Sequence, residues 1–277
     1  MTFYQILKSF YQANKAHYQN LKEQRNLATL KESDASEVYE KVHQKAAPTF
    51  VLSTGRCGTK LLTNIFATHE GIKVYHNPHP EFTWHTKYAF EHQSNRSEIV
   101  KMMFDVARYE LIRNAYINNN IFIETNNRVT FFAHQIAKLY PNAKFIHLIR
   151  QPVDFVKSGM VRNWYSEQDI YDEGRIKDVE NPESWESYSV EEKIAWLWKS
   201  TNDFIETFKE DHEVLTITSE DLFSNTKSVR QLLEFLELPS IPLSTLKKYL
   251  SNPVNESKKE IFLTTAQIQS IKDITDK

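Results

Sequence analysis

The segment that most constrains the fold is Phe50-Val-Leu-Ser-Thr-Gly-Arg-Cys-Gly-Thr-Lys-Leu-Leu62, an apolar run entering a Gly-rich basic turn and then a helical pattern. A short apolar run of this kind suits a strand buried on both faces, as in a parallel sheet covered by helices. The turn adds chemistry. Gly55 and Gly58 allow tight backbone angles, so the amides of residues 55 to 60 can converge on an anion while Arg56 and Lys60 add charge. A phosphate cradle is the functional reading, and an ordinary strand-to-helix turn with two solvated basic side chains is the plain one. Two familiar phosphate-binding patterns fit poorly. Walker A ends in Gly-Lys-Ser/Thr, whereas Gly58 is followed by Thr59 and then Lys60. The dinucleotide fingerprint requires a third glycine that is absent here.

Short apolar segments at 49–54, 72–75, 99–104, 121–124, 144–149 and 213–217 read as strands, with helical patterns near 59–68, 106–118 and 128–139 between them. That alternation predicts an α/β fold with an open, mostly parallel sheet flanked by helices. The simplest partition is an N-terminal helical extension over 1–47 and an α/β domain over 48–277 with an acidic insertion near 167–192. In the extension, Phe3, Leu7, Phe10, Tyr11, Tyr18 and Leu21 recur at helical spacing, predicting a helix over 3–28 that packs on the core or on a second copy. Ser33, Asp34 and Ser36 offer caps for a further short helix. The insertion holds ten acidic and two basic side chains, interrupted by Gly174 and Pro182. Both a solvated surface segment and a lid over an acceptor fit that composition. Helical patterns return at 190–208, 226–237 and 264–275, and Thr264 followed by Gln267 resembles a capping box.

A formal charge of −2 leaves no broad electrostatic footprint for a nucleic-acid polymer, so any anion site must be local. Cys57 is the single cysteine, which excludes an internal disulfide or a cysteine-rich metal centre and fits a reducing compartment. Its thiol reads either as a nucleophile exposed at a helix N-terminus or as a small side chain where space is tight. The first residues lack a secretory pattern, and no run reaches the ~20 apolar residues of a transmembrane segment. The expected setting is the cytoplasm.

A second basic junction is Lys144-Phe-Ile-His-Leu-Ile-Arg-Gln-Pro-Val-Asp-Phe-Val-Lys-Ser158. Its apolar strand ends at Arg150, Pro152 can open a helix, and Ser158 lies about two turns in. In an open parallel sheet, ligands bind beyond the carboxyl ends of strands, where both junctions lie. A ligand with two separated anionic groups would satisfy them together.

These two motifs, in this order, resemble those of sulfotransferases that use 3′-phosphoadenylyl sulfate. The resemblance implies a P-loop NTPase-like three-layer architecture, that donor as cofactor, adenosine 3′,5′-bisphosphate as product, and no metal. It implies that Arg56 contacts the 5′-phosphosulfate, with Gly55, Cys57, Gly58, Thr59 and Lys60 completing the loop. Arg150 and Ser158 would grip the 3′-phosphate, and Lys258, beside Lys259, would close over it. The cytosolic branch of the family usually has lysine where Arg56 stands. Lys60 then either supplies a substitute charge near the bridging oxygen or points outward.

The base is sought in Lys73-Val-Tyr-His-Asn-Pro-His-Pro-Glu81. Related sulfotransferases place a glutamate after this strand, and His76 occupies the matching position here; imidazole titrates near neutrality and can cycle between states. Glu81 is the alternative base, and His79 a weaker one. A zinc site built from His76, His79 and Glu81 matches no strong metal spacing. Glu124-Thr-Asn-Asn127 either orients a base, binds the acceptor or caps a helix, and Ser219-Glu-Asp221 reads as capping. Asn163, Trp164 and Tyr165 either meet a ligand or pack, and so does Trp196. The expected reaction is sulfuryl transfer to a hydroxyl, more readily than to an amine, of a small-molecule, glycan or lipid acceptor. The rivals are a nucleotide kinase-like phosphotransferase and a non-catalytic protein on the same scaffold. Self-association through the N-terminal helix is a further expectation.

Overall fold

Every residue of β1 (Thr49–Leu52) is buried, as expected of a strand in the middle of a covered sheet. It pairs in parallel with β3 (Ile121–Glu124) on one side and β4 (Lys144–Ile149) on the other. The outer strands are β2 (Ile72–Tyr75), beside β3, and β5 (Val214–Thr218), beside β4. The order is therefore β2-β3-β1-β4-β5, all parallel, and the loops leaving all five strands open at one end of the sheet. The computed structural model describes residues 32–167, 169, 171–250 and 261–276. The helix expected over 3–28, its self-association and the Lys258–Lys259 pair lie outside the described residues.

Because successive strand side chains point to opposite faces, the sheet feeds two apolar clusters. Phe50, Leu52, Phe122 and Phe145 enter one, and Val51, Ile123, Ile146, Leu148 and Ile217 enter the other. Helix α1 (Glu32–Lys45) begins the first cover; α2 (Thr59–Phe66) lies on the second face. The first face continues with α3 (His85–Glu91), α4 (Ser97–Ile117), a 3-10 turn at Asn127–Phe132 leading into α5 (Ala133–Leu139), and α6 (Pro152–Met160). Short α7 (Pro182–Ser187) sets Trp185 against Tyr165 and Trp196 at the margin, ahead of the long α8 (Val190–Lys209). The second face is completed by α9 (Ser219–Ser224), α10 (Lys227–Phe235) and α11 (Leu243–Leu250), and α12 (Thr265–Thr275) returns to the first.

One expected strand is a helix. Residues 99–104 lie inside α4, where Val100, Phe104, Arg108, Ile112 and Ala115 are buried while Ile99 and Met102 are exposed. That four-residue recurrence is helical, but six apolar residues viewed alone are too short a window to separate the two periods. Ser33, Asp34 and Ser36 fall inside α1 rather than ahead of it. The expected capping box at Thr264 and Gln267 is formed, and Ser189 with Glu192 builds another at the start of α8. Among the described residues no helix is long and apolar enough to cross a membrane.

Candidate active site

The loop leaving β1 is shaped by left-handed backbone: φ is +81° at Gly55, +58° at Arg56 and +101° at Gly58. Successive residues of this kind turn backbone amides into a concavity suited to an anion. Gly58 is required twice over, since a Cβ there would be strained and would come within 3.0 Å of Leu222 Cδ2. Two hydroxyls pin the loop. Thr130 Oγ1 accepts from Ser53 N and donates to Ser53 O, both at 3.0 Å. Ser219 Oγ lies 2.8 Å from the Cys57 carbonyl and 3.1 Å from the Ile149 carbonyl, tying the loop to the end of β4. The Gly55 amide donates to Ser53 Oγ at 3.1 Å, so this amide serves the loop itself.

The two basic junctions meet. Arg150, just beyond β4, donates from Nη1 to the Arg56 carbonyl at 3.0 Å, across 94 residues of sequence. Arg56 donates from Nε to Ser158 Oγ on α6 at 3.2 Å. Trp198 Nε1 fixes the Arg150 carbonyl from α8 at 2.7 Å. Arg162, one turn beyond Ser158, completes a cluster of three guanidiniums. Burial first, and then the charges of Arg162 and Arg150, push Arg56 down to about 10. Neither Arg150 nor Arg162 forms an ion pair among the described residues. Like charges gathered this closely, beside an aimed hydroxyl, fit a multiply charged anion such as a phosphate ester.

A cavity of about 920 Å³ opens over this cluster, lined by Arg56, Thr59, His76, Arg128, Arg162 and Arg175 among others. Its size is at the upper end of the roughly 300–1,000 Å³ usual for ligand sites. His76, immediately after β2, sets Nδ1 3.1 Å from Thr125 Oγ1. Burial, and then the charge of Lys60, hold its pKa below the ordinary 6.5, which favours neutral imidazole. Lys60 thus acts on His76 from the first turn of α2, although it is not part of the cavity wall.

The other candidates have structural partners. Glu81 accepts from Arg128 Nη1 at 2.5 Å, and His79 is exposed away from the wall, so no trio with His76 is assembled. Glu124 is fully buried and bound in bidentate fashion by Arg108, at 2.7 and 3.0 Å. Asn126 caps the following 3-10 turn by accepting from Arg128 N. The exposed-thiol reading of Cys57 is overturned: Cys57 is fully buried, its Sγ donates to Gly55 O at 2.9 Å, and burial pushes the thiol up to about 11. The turn that raises the glycines also folds this side chain into the second cluster, away from water.

The acidic segment is not a loose surface loop. It contributes Asp169, Tyr171, Gly174, Arg175 and Ile176 to the cavity wall. Arg175 is gripped by Asp169 and Asp172 and lies 4.2 Å over the Trp164 ring. Ile176 and Trp185 are buried, and Gly174 sits so close to Thr83 that a Cβ would fall 2.6 Å from its carbonyl oxygen. Of the neighbouring aromatics, Trp164 reaches the cavity. Tyr165 instead donates to the Ile176 carbonyl at 2.7 Å, and Trp196 packs edge-on to Trp185. Sequence reasoning missed Arg128, Arg162 and Arg175. Only Arg162 carried a local signal, its four-residue spacing from Ser158, two residues past the end of α6.

A model of the Sulfotransferase family matches residues 48–242. The sequence matches no curated protein. Similar solved structures include the sulfotransferase domain from the curacin biosynthetic pathway, with 16% identity over 72% of this chain and 76% of that one and a TM-score of 0.48. The sulfotransferase domain from the Synechococcus PCC 7002 olefin synthase shows 17% identity over 82% and 95%, with a TM-score of 0.45. A sulfotransferase from Alicyclobacillus acidocaldarius shows 15% identity over 84% and 96%, with a TM-score of 0.46. Since the family match extends over well more than half of its length, the chain belongs to the sulfotransferase family, enzymes that transfer a sulfuryl group from 3′-phosphoadenylyl sulfate.

Proposed function

We propose that the Arg56 loop, Arg150, Ser158 and Arg162 hold the donor, and that His76 accepts the proton of an acceptor hydroxyl. The observation that carries this reading is the contact of Arg150 and Ser158 with Arg56, which joins two anion junctions 94 and 102 residues apart in sequence. The guanidinium cluster fits a donor with phosphate at both ends. Arg56, Gly58, Thr59 and Lys60 serve the 5′-phosphosulfate, with the Gly55 and Cys57 backbone shaping their turn, while Arg150 and Ser158 serve the 3′-phosphate. When bound, the donor supplies an activated sulfuryl group whose departure leaves negative charge on a phosphate oxygen.

The chain's own groups meet that charge. Fixed cations lower a barrier when they bind the developing charge more strongly than the ground state, the role given to Arg56 and Lys60. His76, neutral at pH 7, takes the hydroxyl proton as the acceptor oxygen receives the sulfuryl group. Four guanidiniums and one carboxylate, Asp169, are the charged groups of the cavity wall, which disfavours an ammonium-bearing acceptor. The acceptor class is therefore a hydroxyl of a small molecule, glycan or lipid headgroup. The glycine-rich turn between central β1 and α2 supports a P-loop NTPase-like arrangement for a domain over 48–277, and the buried thiol of Cys57 suits the reducing cytoplasm.

A product-mass screen with the sulfate donor tests this assignment. Hydroxyl acceptors should gain one sulfonate group while amine analogues do not. The His76→Ala variant should lose turnover by about 10²-fold or more with donor affinity retained. An unchanged rate in that variant would eliminate His76 as the base.

A further inference from the structure

Behind the cavity wall, a chain of polar groups can be counted proton by proton. Thr63 Oγ1, on α2, donates to the Thr59 carbonyl at 2.9 Å. Thr125 Oγ1, just beyond β3, lies 2.8 Å from Thr63 Oγ1. His76 Nδ1 lies 3.1 Å from Thr125 Oγ1. Thr125 Oγ1 also lies 3.3 Å from the Tyr75 carbonyl, so four contacts of hydrogen-bond length compete for protons, and each hydroxyl has only one to give. The Thr59 and Tyr75 carbonyls have none. If Thr125 donated to His76, the proton of Thr63 would have to turn away from Thr59 toward Thr125. Thr63 Oγ1 and the Thr59 carbonyl at 2.9 Å, and Thr125 Oγ1 and the Tyr75 carbonyl at 3.3 Å, would then face each other with no proton between either pair. A proton on the imidazole Nδ1 fills the contact with Thr125 and frees both hydroxyl protons for the other acceptors, leaving one contact empty instead of two.

We infer that Thr125, backed by Thr63, locks His76 in the tautomer protonated on Nδ1 and so leaves the Nε2 lone pair to receive the acceptor's proton. This rests on the reading of His76 as the base and goes beyond it by assigning what sets that base. Nδ1 is the ring nitrogen with a partner among the described residues; Nε2 has none. Both ends of the chain are backbone carbonyls, so it orients the ring and passes no proton onward. The proton taken on Nε2 leaves by the same nitrogen after the product departs. Thr125 is thus a positioning residue, and its neighbours explain its rigidity: its amide also donates to the Tyr75 carbonyl at 2.9 Å, beside the end of β2.

Nitrogen-15 NMR of the imidazole rings in the full-length protein tests this without any turnover, with the His76 signals assigned by their absence in His76→Gln. The wild-type ring should show a protonated Nδ1 and a pyridine-type Nε2. Thr125→Val, which keeps the shape and removes the hydroxyl, should mix or invert the tautomers, and Thr125→Ser should restore the wild-type pattern. In kinetics, Thr125→Val should lower kcat about tenfold or more with donor KM nearly unchanged, and Thr125→Ser should recover most of it. A wild-type spectrum with Nδ1 unprotonated overturns the inference even if His76 proves to be the base. Should Thr125→Val fail to fold, the wild-type and Thr125→Ser spectra still decide. Full activity in His76→Ala, with the tautomer as inferred, would instead remove the base assignment and leave the hydrogen-bond chain standing.

Discussion

The arginines in and behind the cavity wall fall into two groups. In the wall, Arg128 and Arg175 are held by carboxylates, Glu81 for the first, Asp169 and Asp172 for the second. Around Arg56, Arg150 and Arg162 have no ion pair among the described residues, and both press their charge on it. A matched guanidinium has already spent its directional bonds on the protein and serves as a rigid part of the wall. A like-charge cluster is unfavourable by itself and is held together by the surrounding fold, which marks it as a place for an anion. The same division sorts the carboxylates: Glu81 and Glu124, both plausible as reactive groups from the sequence, are each bound to an arginine.

If matched charges are structural, the largest effect belongs to the most buried pair. Replacing Arg108 with Ala leaves Glu124 alone in a fully buried site and should cost ~3–5 kcal/mol of stability in urea unfolding. A loss near zero would break the division at its strongest point. The histidines extend the contrast from activity to stability. His147 is fully buried in β4 and burial holds its pKa near 4, so the unfolded chain binds a proton that the folded one refuses between pH 6.5 and about 4. Stability should therefore fall with pH across that window by up to about 3 kcal/mol, and His147→Asn should flatten the fall.

Smaller effects sharpen the unpaired group. Arg162→Ala should weaken adenosine 3′,5′-bisphosphate binding by about three- to tenfold, less at high salt because this side chain is exposed. Equal weakening at all ionic strengths would point to altered packing instead. The mildest change is Lys60→Gln. Lys60 lowers the His76 pKa, so its removal should raise that pKa and move the acid limb of the rate profile to higher pH. An unmoved limb would separate Lys60 from the base.

Local spacing made much of this legible. The strand-turn-helix around Gly55 and Gly58 and the Arg150 to Ser158 interval are short-range patterns, and each stands where its strand ends in the sheet. Matching of charges is not short-range. The Glu81–Arg128 bond spans 47 residues, and nothing near either residue announces it. Residues 99–104 misled for a related reason, since the buried stripe of α4 becomes visible only when Arg108, Ile112 and Ala115 are read with it. Composition left the acidic segment open between a solvated surface and a lid, because the features that dock it, two apolar anchors, Ile176 and Trp185, and one close glycine contact, do not show in its average.

Isothermal titration of the folded protein with adenosine 3′,5′-bisphosphate, repeated on Arg150→Ala and Arg175→Ala, tests the division most directly. Saturable binding should weaken by ~1.5–3 kcal/mol in Arg150→Ala, the worth of a charge-assisted contact, and stay within about twofold in Arg175→Ala. No saturable heat from folded wild-type protein, or an Arg150→Ala isotherm that overlays the wild-type one, would contradict the account.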